Sequence, residues 1–444
     1  MRHSHLAWHR NALLTAVLIG LTAMVHGQEL APLPPVEPAV RNPALGGPIA
    51  LEHLIGYALA NSPELHAAKY SARSRGARVP QASSLPDPTL AATVFLEEIQ
   101  PAAGPQQAAM SLSQKFPWFG KLSLRSQVAH HDTMAAYSRV ASIELHLVEG
   151  VKRAYFDLYF AQKAVAETRQ MERPLEDMIT VARTKYETSA GKVGLESVFQ
   201  AQIELARLKT DLIKLEQAKR QSQSQLAGLL HLPPGTQIEA LPAIPRSRVE
   251  NQVETLVSLA DSCQPDYQES CREMARDRTS VNLARQDYWP DVTATFNWYD
   301  MRDGGLSPVS NGRDAFSVGV GINLPIYRNR LSGAVREAES RLRATAQRHE
   351  ALRDQYQTEI ETLYAQFREH YQTLQILETD IVPRAEETLN LTLESYRAGR
   401  ADFQQLMDVY RTLLRYRVDL YRHMSRCEQT LASLERAVGC AVTS

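Results

Sequence analysis

Residues 315–324 read Ala-Phe-Ser-Val-Gly-Val-Gly-Ile-Asn-Leu. Phe316, Val318, Val320, Ile322 and Leu324 fall on one side of this stretch. Ser317, Gly319, Gly321 and Asn323 fall on the other. A strict period of two is that of a β-strand, here with one fully apolar face and one small, polar face. From Arg330 to Val382 the chain then carries a single glycine, Gly333, and no proline. A strand that passes almost directly into so long an uninterrupted helix decides the fold. Continued past Pro383 to about residue 397, the helix would have some 70 residues and reach about 105 Å. That far exceeds the usual globular helix of about 11–12 residues. Such helices make a rod or the wall of a tube.

The same pattern extends outward. Val292, Ala294, Phe296 and Trp298 alternate with Thr293, Thr295 and Asn297 in a strand predicted at 291–299. Earlier in the chain, Leu90, Ala92, Val94 and Leu96 alternate within 88–97, and Met110, Leu112 and Phe116 within 109–116. A helix runs on from Lys121 past Pro174 to about 188, again with one glycine, Gly150, before the proline. Pro174 and Pro383 are expected to kink the two long helices at matching heights. The return helices show coiled-coil spacing at Leu205, Leu208, Leu212 and Leu215, and at Leu406, Val409, Leu413, Tyr416 and Leu420.

These matches make one internal duplication. Pro86-Asp87 correspond to Pro290-Asp291, Pro117 to Pro325, Lys121 to Arg330, Pro174 to Pro383, and Ala190-Gly191 to Ala398-Gly399. The period of about 200 residues is far above that of a solenoid. The predicted organisation is a signal peptide at 1–27, an extension at 28–50, a first repeat at 51–230, a linker at 231–250 and a second repeat at 251–440. Each repeat reads helix, strand, strand, very long helix, turn, helix. The first helix is capped at Asn61-Ser62-Pro63-Glu64.

Composition narrows the class. Of 444 residues, 49 are Lys or Arg and 50 are Asp or Glu, a net charge of −1 that gives no electrostatic case for nucleic acid. A mean hydropathy of −0.32 argues against a polytopic helical membrane protein but not against a barrel, whose strands are short and alternate. Arg2 and Arg10 precede the apolar stretch 11–25, and Val25-His26-Gly27 suits cleavage before Gln28. The residue at that point is Gln28, not a cysteine that could carry a lipid. The chain therefore leaves the cytoplasm, and in an oxidising compartment Cys263 and Cys271 can pair. On one helix they would lie about 12 Å apart, so the bridge requires Cys263 to sit in the turn before it.

A soluble sandwich would also alternate. Two features favour a membrane barrel. The face opposite the apolar one is small and polar, suited to a wet lumen. Aromatic residues also gather at strand ends: Phe116, Trp118 and Phe119, then Tyr288, Trp289, Trp298 and Tyr299. Four strands cannot close a barrel alone, and open edges cannot face lipid, so several protomers must share one barrel.

This combination resembles the TolC family of outer-membrane efflux channels over essentially all of residues 50–440. The resemblance is carried by Asn61-Ser62-Pro63-Glu64-Leu65, Leu85-Pro86-Asp87-Pro88, Phe116-Pro117-Trp118-Phe119-Gly120-Lys121 and the two helix turns. The Phe-Pro-Trp-Phe-Gly-Lys stretch is most similar to the heavy-metal branch that serves Cus- and Czc-type systems. The resemblance implies a mainly α fold with membrane β: a homotrimer with a shared 12-stranded β-barrel, lipid on its outer face and an α-helical periplasmic tunnel. It implies a passive duct in the outer membrane of a Gram-negative bacterium, without a cofactor. Its partners would be a periplasmic membrane-fusion adaptor and an inner-membrane pump of the resistance-nodulation-division class, and its cargo heavy-metal cations.

The resemblance also assigns residues. Val193, Gly194, Leu195, Glu196 and Ser197 resemble the family's adaptor-contacting tip, with Gly399, Arg400 and Ala401 at the second turn. Asp408 matches an acidic constriction position, and Tyr396 a tyrosine that ties the closed mouth. Gln405 stands where a second acid often occurs, and Ala401 where an arginine link can sit, so the gate would be less charged or held differently. The bland readings are a solvated helix residue for Asp408 and coiled-coil packing for Tyr396. Phe316, Val318, Val320, Ile322 and Leu324 are expected on the lipid face.

The sequence carries no phosphate loop, His-Glu-x-x-His, nucleophile elbow or Cys-x-x-Cys. His130 and His131 are neighbours on a predicted helix and point apart. The competing reading is a secreted or periplasmic coiled-coil scaffold without channel activity. It leaves the four symmetrically placed strands unexplained.

Overall fold

A computed structural model describes residues 47–188, 194–244, 246–249 and 252–442. The expected signal peptide and most of the N-terminal extension lie outside these residues. Strand β1 (Pro48–Ile49) is followed by α1 (Leu51–Asn61), α2 (Pro63–Gly76) and α3 (Arg78–Ser83). Strands β2 (Thr89–Ile99) and β3 (Gln106–Phe116) lead into α4 (Lys121–Gln170), α5 (Glu172–Thr188) and the return helix α6 (Leu195–Leu229). After β4 (Glu239–Ala240) the pattern recurs as α7 (Val253–Cys263), α8 (Pro265–Gln286), β5 (Val292–Met301) and β6 (Ala315–Ile322). It closes with α9 (Arg328–Ile376), α10 (Val382–Arg397) and α11 (Phe403–Val438).

Two expectations need correction. Each repeat opens with two helices rather than one. Ser62 caps α2 as expected, its hydroxyl accepting from Leu65 N–H at 3.3 Å, but α1 already precedes it. Extended backbone at Ser62, before Pro63 at the first turn, separates the pair. Gln264 does the same between α7 and α8 through its side chain. The long helices also do not run unbroken to 188 and 397. Pro174 and Pro383 lack an N–H to donate to the carbonyl four residues earlier. The first helix answers with a turn at Met171, and the second with a π-helical turn at Leu377–Ile381. The helices before these breaks, α4 and α9, have 50 and 49 residues, about 75 Å each.

The four long strands form one antiparallel sheet in the order β2-β3-β5-β6, with β3 joining the first repeat to β5 of the second. β1 and β4 form a separate parallel pair. Register places like with like. Leu90, Leu112, Phe296 and Val318 form one row across all four strands, and Ala91, Ser111, Asn297 and Ser317 form the next. Successive rows lie on opposite faces, so one face is apolar and the other is small and polar.

Apolar packing is concentrated in the helices. Met171, Leu175 and Met178 of the first hairpin pack with Leu208, Leu406, Tyr410 and Leu413, joining both hairpins. A second cluster, around Val151, Tyr155, Leu158, Leu226 and Ile238, gathers α4, α6 and the segment containing β4. A third sets Leu256, Ile360, Phe367, Leu431 and Leu434 together. Among the described residues no helix is long and apolar enough to cross a membrane.

Candidate functional site

The sheet presents its apolar side outward. Val318 is 79% exposed, Val94 72% and Leu96 99%, and Phe316, Val320, Ile322 and Leu324 are exposed with them. On the opposite side Asn297 donates to Ser317 Oγ at 3.0 Å. An exposed apolar face backed by a polar one is the inverse of a globular sheet, where the apolar face would meet a core.

The segment after β3 shows how sheet and helices are joined. Trp118 stacks on Trp289 at 5.2 Å and 9°. Gly120, at φ +85°, turns the chain into α4, a conformation that a side chain would strain. This turn sends Lys121 inward, where its ammonium donates to Asp291 at 2.9 Å and to the Trp289 carbonyl at 3.1 Å. Asp291 also accepts from Trp118 N–H at 3.0 Å and pairs with Lys115 at 3.0 Å. Burial would raise the pKa of Asp291, but the bonds from Lys121, Trp118 and Lys115 outweigh it and hold the carboxyl at about 2.

At the far end of the helices lie the two turns. Val193 lies outside the described residues. Gly194 adopts φ +116° as it enters α6, which leaves Leu195 and Glu196 exposed. The second turn closes through Gly399 at φ +74°. Its amide donates to the Tyr396 carbonyl at 3.1 Å, and Arg400 N–H to the Ser395 carbonyl at 2.9 Å, a Schellman-type ending. Arg400 is exposed and Ala401 half-buried.

Tyr396 is buried between the turns. Its ring meets Phe403 edge-on at 5.5 Å, Lys185 sits 4.0 Å over its face, and Ser197 hydrogen-bonds its hydroxyl. The tyrosine therefore ties the second hairpin to the first within one protomer. Burial raises its pKa, so the neutral phenol is kept.

Asp408 and Gln405 are exposed on α11 and line an open groove with Arg384, Thr388 and Tyr416. Asp408 is not isolated. Arg411 lies 3.3 Å from it and 2.8 Å from Glu204 on α6, whose carboxylate is buried. Sequence reasoning missed Arg411 and Glu204. The i,i+3 spacing of Asp408 and Arg411 was available as a signal, but nothing in the sequence pointed to Glu204.

Cys263 ends α7 while Cys271 stands two turns into α8, and no bond joins this possible pair in the structure. The helical rise over that distance, about 9 Å, separates them.

Known proteins share this architecture. The outer membrane efflux protein family matches residues 54–230 and 256–440, once for each half of the chain. The cobalt-zinc-cadmium resistance protein CzcC of Cupriavidus metallidurans is 23% identical over 425 residues, covering 93% of this chain and 94% of CzcC. Nodulation protein T of Rhizobium leguminosarum bv. trifolii is 21% identical over 373 residues, covering 81% of this chain and 79% of its own. The outer membrane protein VceC from Vibrio cholerae superposes with a TM-score of 0.73 at 22% identity, over 88% of this chain and 96% of VceC. The crystal structure of CusC gives 0.73 at 17% identity, over 88% and 92%. The chain has the fold of these TolC-like channels.

Proposed function

We propose that this chain, which belongs to the outer membrane efflux protein family, assembles as a homotrimer into a duct for heavy-metal cations. It is a passive channel of the outer membrane rather than an enzyme, and its helices form a periplasmic tunnel. In the proposed assembly, cargo arrives from an inner-membrane pump of the resistance-nodulation-division class through a periplasmic adaptor. The cargo class is carried over from CzcC, whose name ties that protein to cobalt, zinc and cadmium resistance.

The observation that carries the assembly is the sheet itself. Its outer strands β2 and β6 end in unpaired edges while its apolar face is exposed. Such edges are not tolerated in lipid, so β6 must pair with β2 of another copy. Three copies of four strands make a closed barrel of twelve.

The duplication supplies the register of that closure. β3 corresponds to β6 and β5 to β2, so the β3·β5 pairing within the chain is the template for β6·β2 between copies. Leu112 opposite Phe296 becomes Val320 opposite Ala92 of the partner subunit. Met110 opposite Trp298 becomes Val318 opposite Val94 of the partner subunit. Every such pair sets apolar residues on one face, as lipid contact demands. The Lys121–Asp291 bridge becomes Arg330 with Asp87 of the partner subunit, and the Trp118–Trp289 stack becomes Ile326 with Leu85 of the partner subunit. All four of these residues are exposed in the single chain. At the tips, the exposed Leu195 and Glu196 form the proposed adaptor contact, while Asp408 and Gln405 ring the proposed constriction.

The test is conductance of detergent-extracted protein in a planar bilayer, with oligomer mass measured in parallel and metal tolerance measured in a deletion strain. Trimers with discrete channel steps and a metal-sensitive deletion are expected. Monomers without conductance would overturn the assembly, and a deletion with unchanged tolerance to cobalt, zinc and cadmium would overturn the cargo.

A further inference from the structure

The end of α11 is folded onto the joint between α7 and α8. Gly439, at φ +88°, brings the chain so close that a Cβ there would lie 2.7 Å from the Cys263 carbonyl oxygen and 2.6 Å from the Gln264 Cα. Gln264 fastens the contact from the other side, its amide nitrogen donating to the carbonyls of Arg436 at 3.2 Å and Ala437 at 3.4 Å. The next residue is Cys440, whose thiol interacts with that of Cys263. Both cysteines are partly accessible. The two cysteines are thus brought together by backbone packing that neither side chain controls.

We propose that Cys263 and Cys440 are a modification site: after export they are oxidised to a disulfide that pins the end of α11 to the α7–α8 joint. The proposal needs the chain to be outside the cytoplasm but is independent of its cargo, gate and barrel register. The oxidant is a periplasmic protein disulfide of the thiol-oxidase class. One cysteine thiolate attacks a sulfur of that disulfide and expels the other as a thiolate. The second cysteine then attacks the mixed disulfide, forming the Cys263–Cys440 bond and releasing the oxidant as a dithiol. Two electrons pass to the oxidant, which also takes up the two thiol protons.

The remaining cysteines are poorly placed to compete. Cys427 is buried, and burial pushes its thiol up to about 12. Cys271 is exposed on α8, away from the Gly439 contact. Burial, then the contact with Cys263, pushes the Cys440 thiol up to about 11.

The experiment is peptide mapping by mass spectrometry on full-length protein taken from outer membranes, with free thiols alkylated during lysis. The expected result is a Cys263 peptide joined to a Cys440 peptide and separated by dithiothreitol, with Cys271 and Cys427 alkylated. Alkylated Cys263 and Cys440 before reduction, or Cys263 joined to Cys271, would overturn the proposal. Conductance is recorded on the same preparation, so an unlinked pair in working channels is distinguished from a failed channel.

Discussion

Lys121 and Asp291, 170 residues apart in the chain, meet at 2.9 Å between the start of the first long helix and the start of the third long strand. Lys121 is 3% exposed and Asp291 8%, so the pair bonds the two repeats in a place that water hardly reaches. Asp291→Asn would strand a buried ammonium, leaving it the more exposed Asp287 at 3.4 Å. The expected loss is about 3 kcal/mol or more, read as a lower temperature of thermal unfolding in detergent.

The same pair sets a pH dependence. The carboxyl is depressed to about 2 from an ordinary 3.8. A depressed acid contributes stability that is fully present above its unfolded value and is lost as pH falls through the folded one. The stability difference between wild type and Asp291→Asn should therefore narrow by about 2 kcal/mol between pH ~5 and ~2. A difference that stays constant across that window would remove Asp291 as its source.

Symmetry between the repeats transfers this pair to the subunit boundary. Asp87→Arg or Arg330→Asp alone should lower the yield of heat-resistant trimers, while the double exchange should restore it. Paired cysteines at Val320 and Ala92 should cross-link between subunits, whereas cysteines displaced by one position on one strand face opposite sides. Trimers that form but link only in the displaced register would refute the register and leave the trimer standing.

At the proposed constriction, Arg411 holds two carboxylates. Asp408→Ala should change single-channel conductance and reduce preference for cations, because acidic rings attract them. Arg411→Ala should act oppositely on selectivity by freeing Asp408. It should also cost about 3 kcal/mol or more by leaving buried Glu204 without its partner. Unchanged ion selectivity in both variants would exclude Asp408 from the conduction path.

The tip prediction separates contact from backbone. Gly194 is left-handed, so any substitution there strains the turn itself. Leu195 is 45% exposed at the start of α6 and can be changed without that strain. Leu195→Asp should reduce metal tolerance to the level of the deletion strain while trimers still reach the outer membrane. Full tolerance would place the adaptor contact elsewhere.

Much of the architecture was legible along the chain, since its signals are local. Period two at Phe316, Val318, Val320 and Ile322 marked a strand with one apolar face. The glycine-poor, proline-free runs marked the long helices, and matched prolines and glycines marked the duplication. The capping hydroxyl of Ser62 located α2, but α1 begins at Leu51 after Ala50, which offers no side-chain cap, and so escaped notice. Pro174 and Pro383 announced breaks without announcing their form. Whether a turn or a π-helical turn absorbs the missing hydrogen bond depends on the packing around each helix.

The chemistry-bearing contacts were decided only in three dimensions. Lys121 with Asp291, Arg411 with Glu204, Tyr396 with Ser197 and Cys440 with Cys263 each join segments far apart in the chain. No spacing rule connects them, because their partners are chosen by how hairpins and repeats pack. The strands, the long helices and the repeat follow from hydrophobic period and backbone restriction over a few neighbouring residues. Which buried charges are neutralised and which cysteines become neighbours depends instead on distances between elements, which local periodicity does not specify.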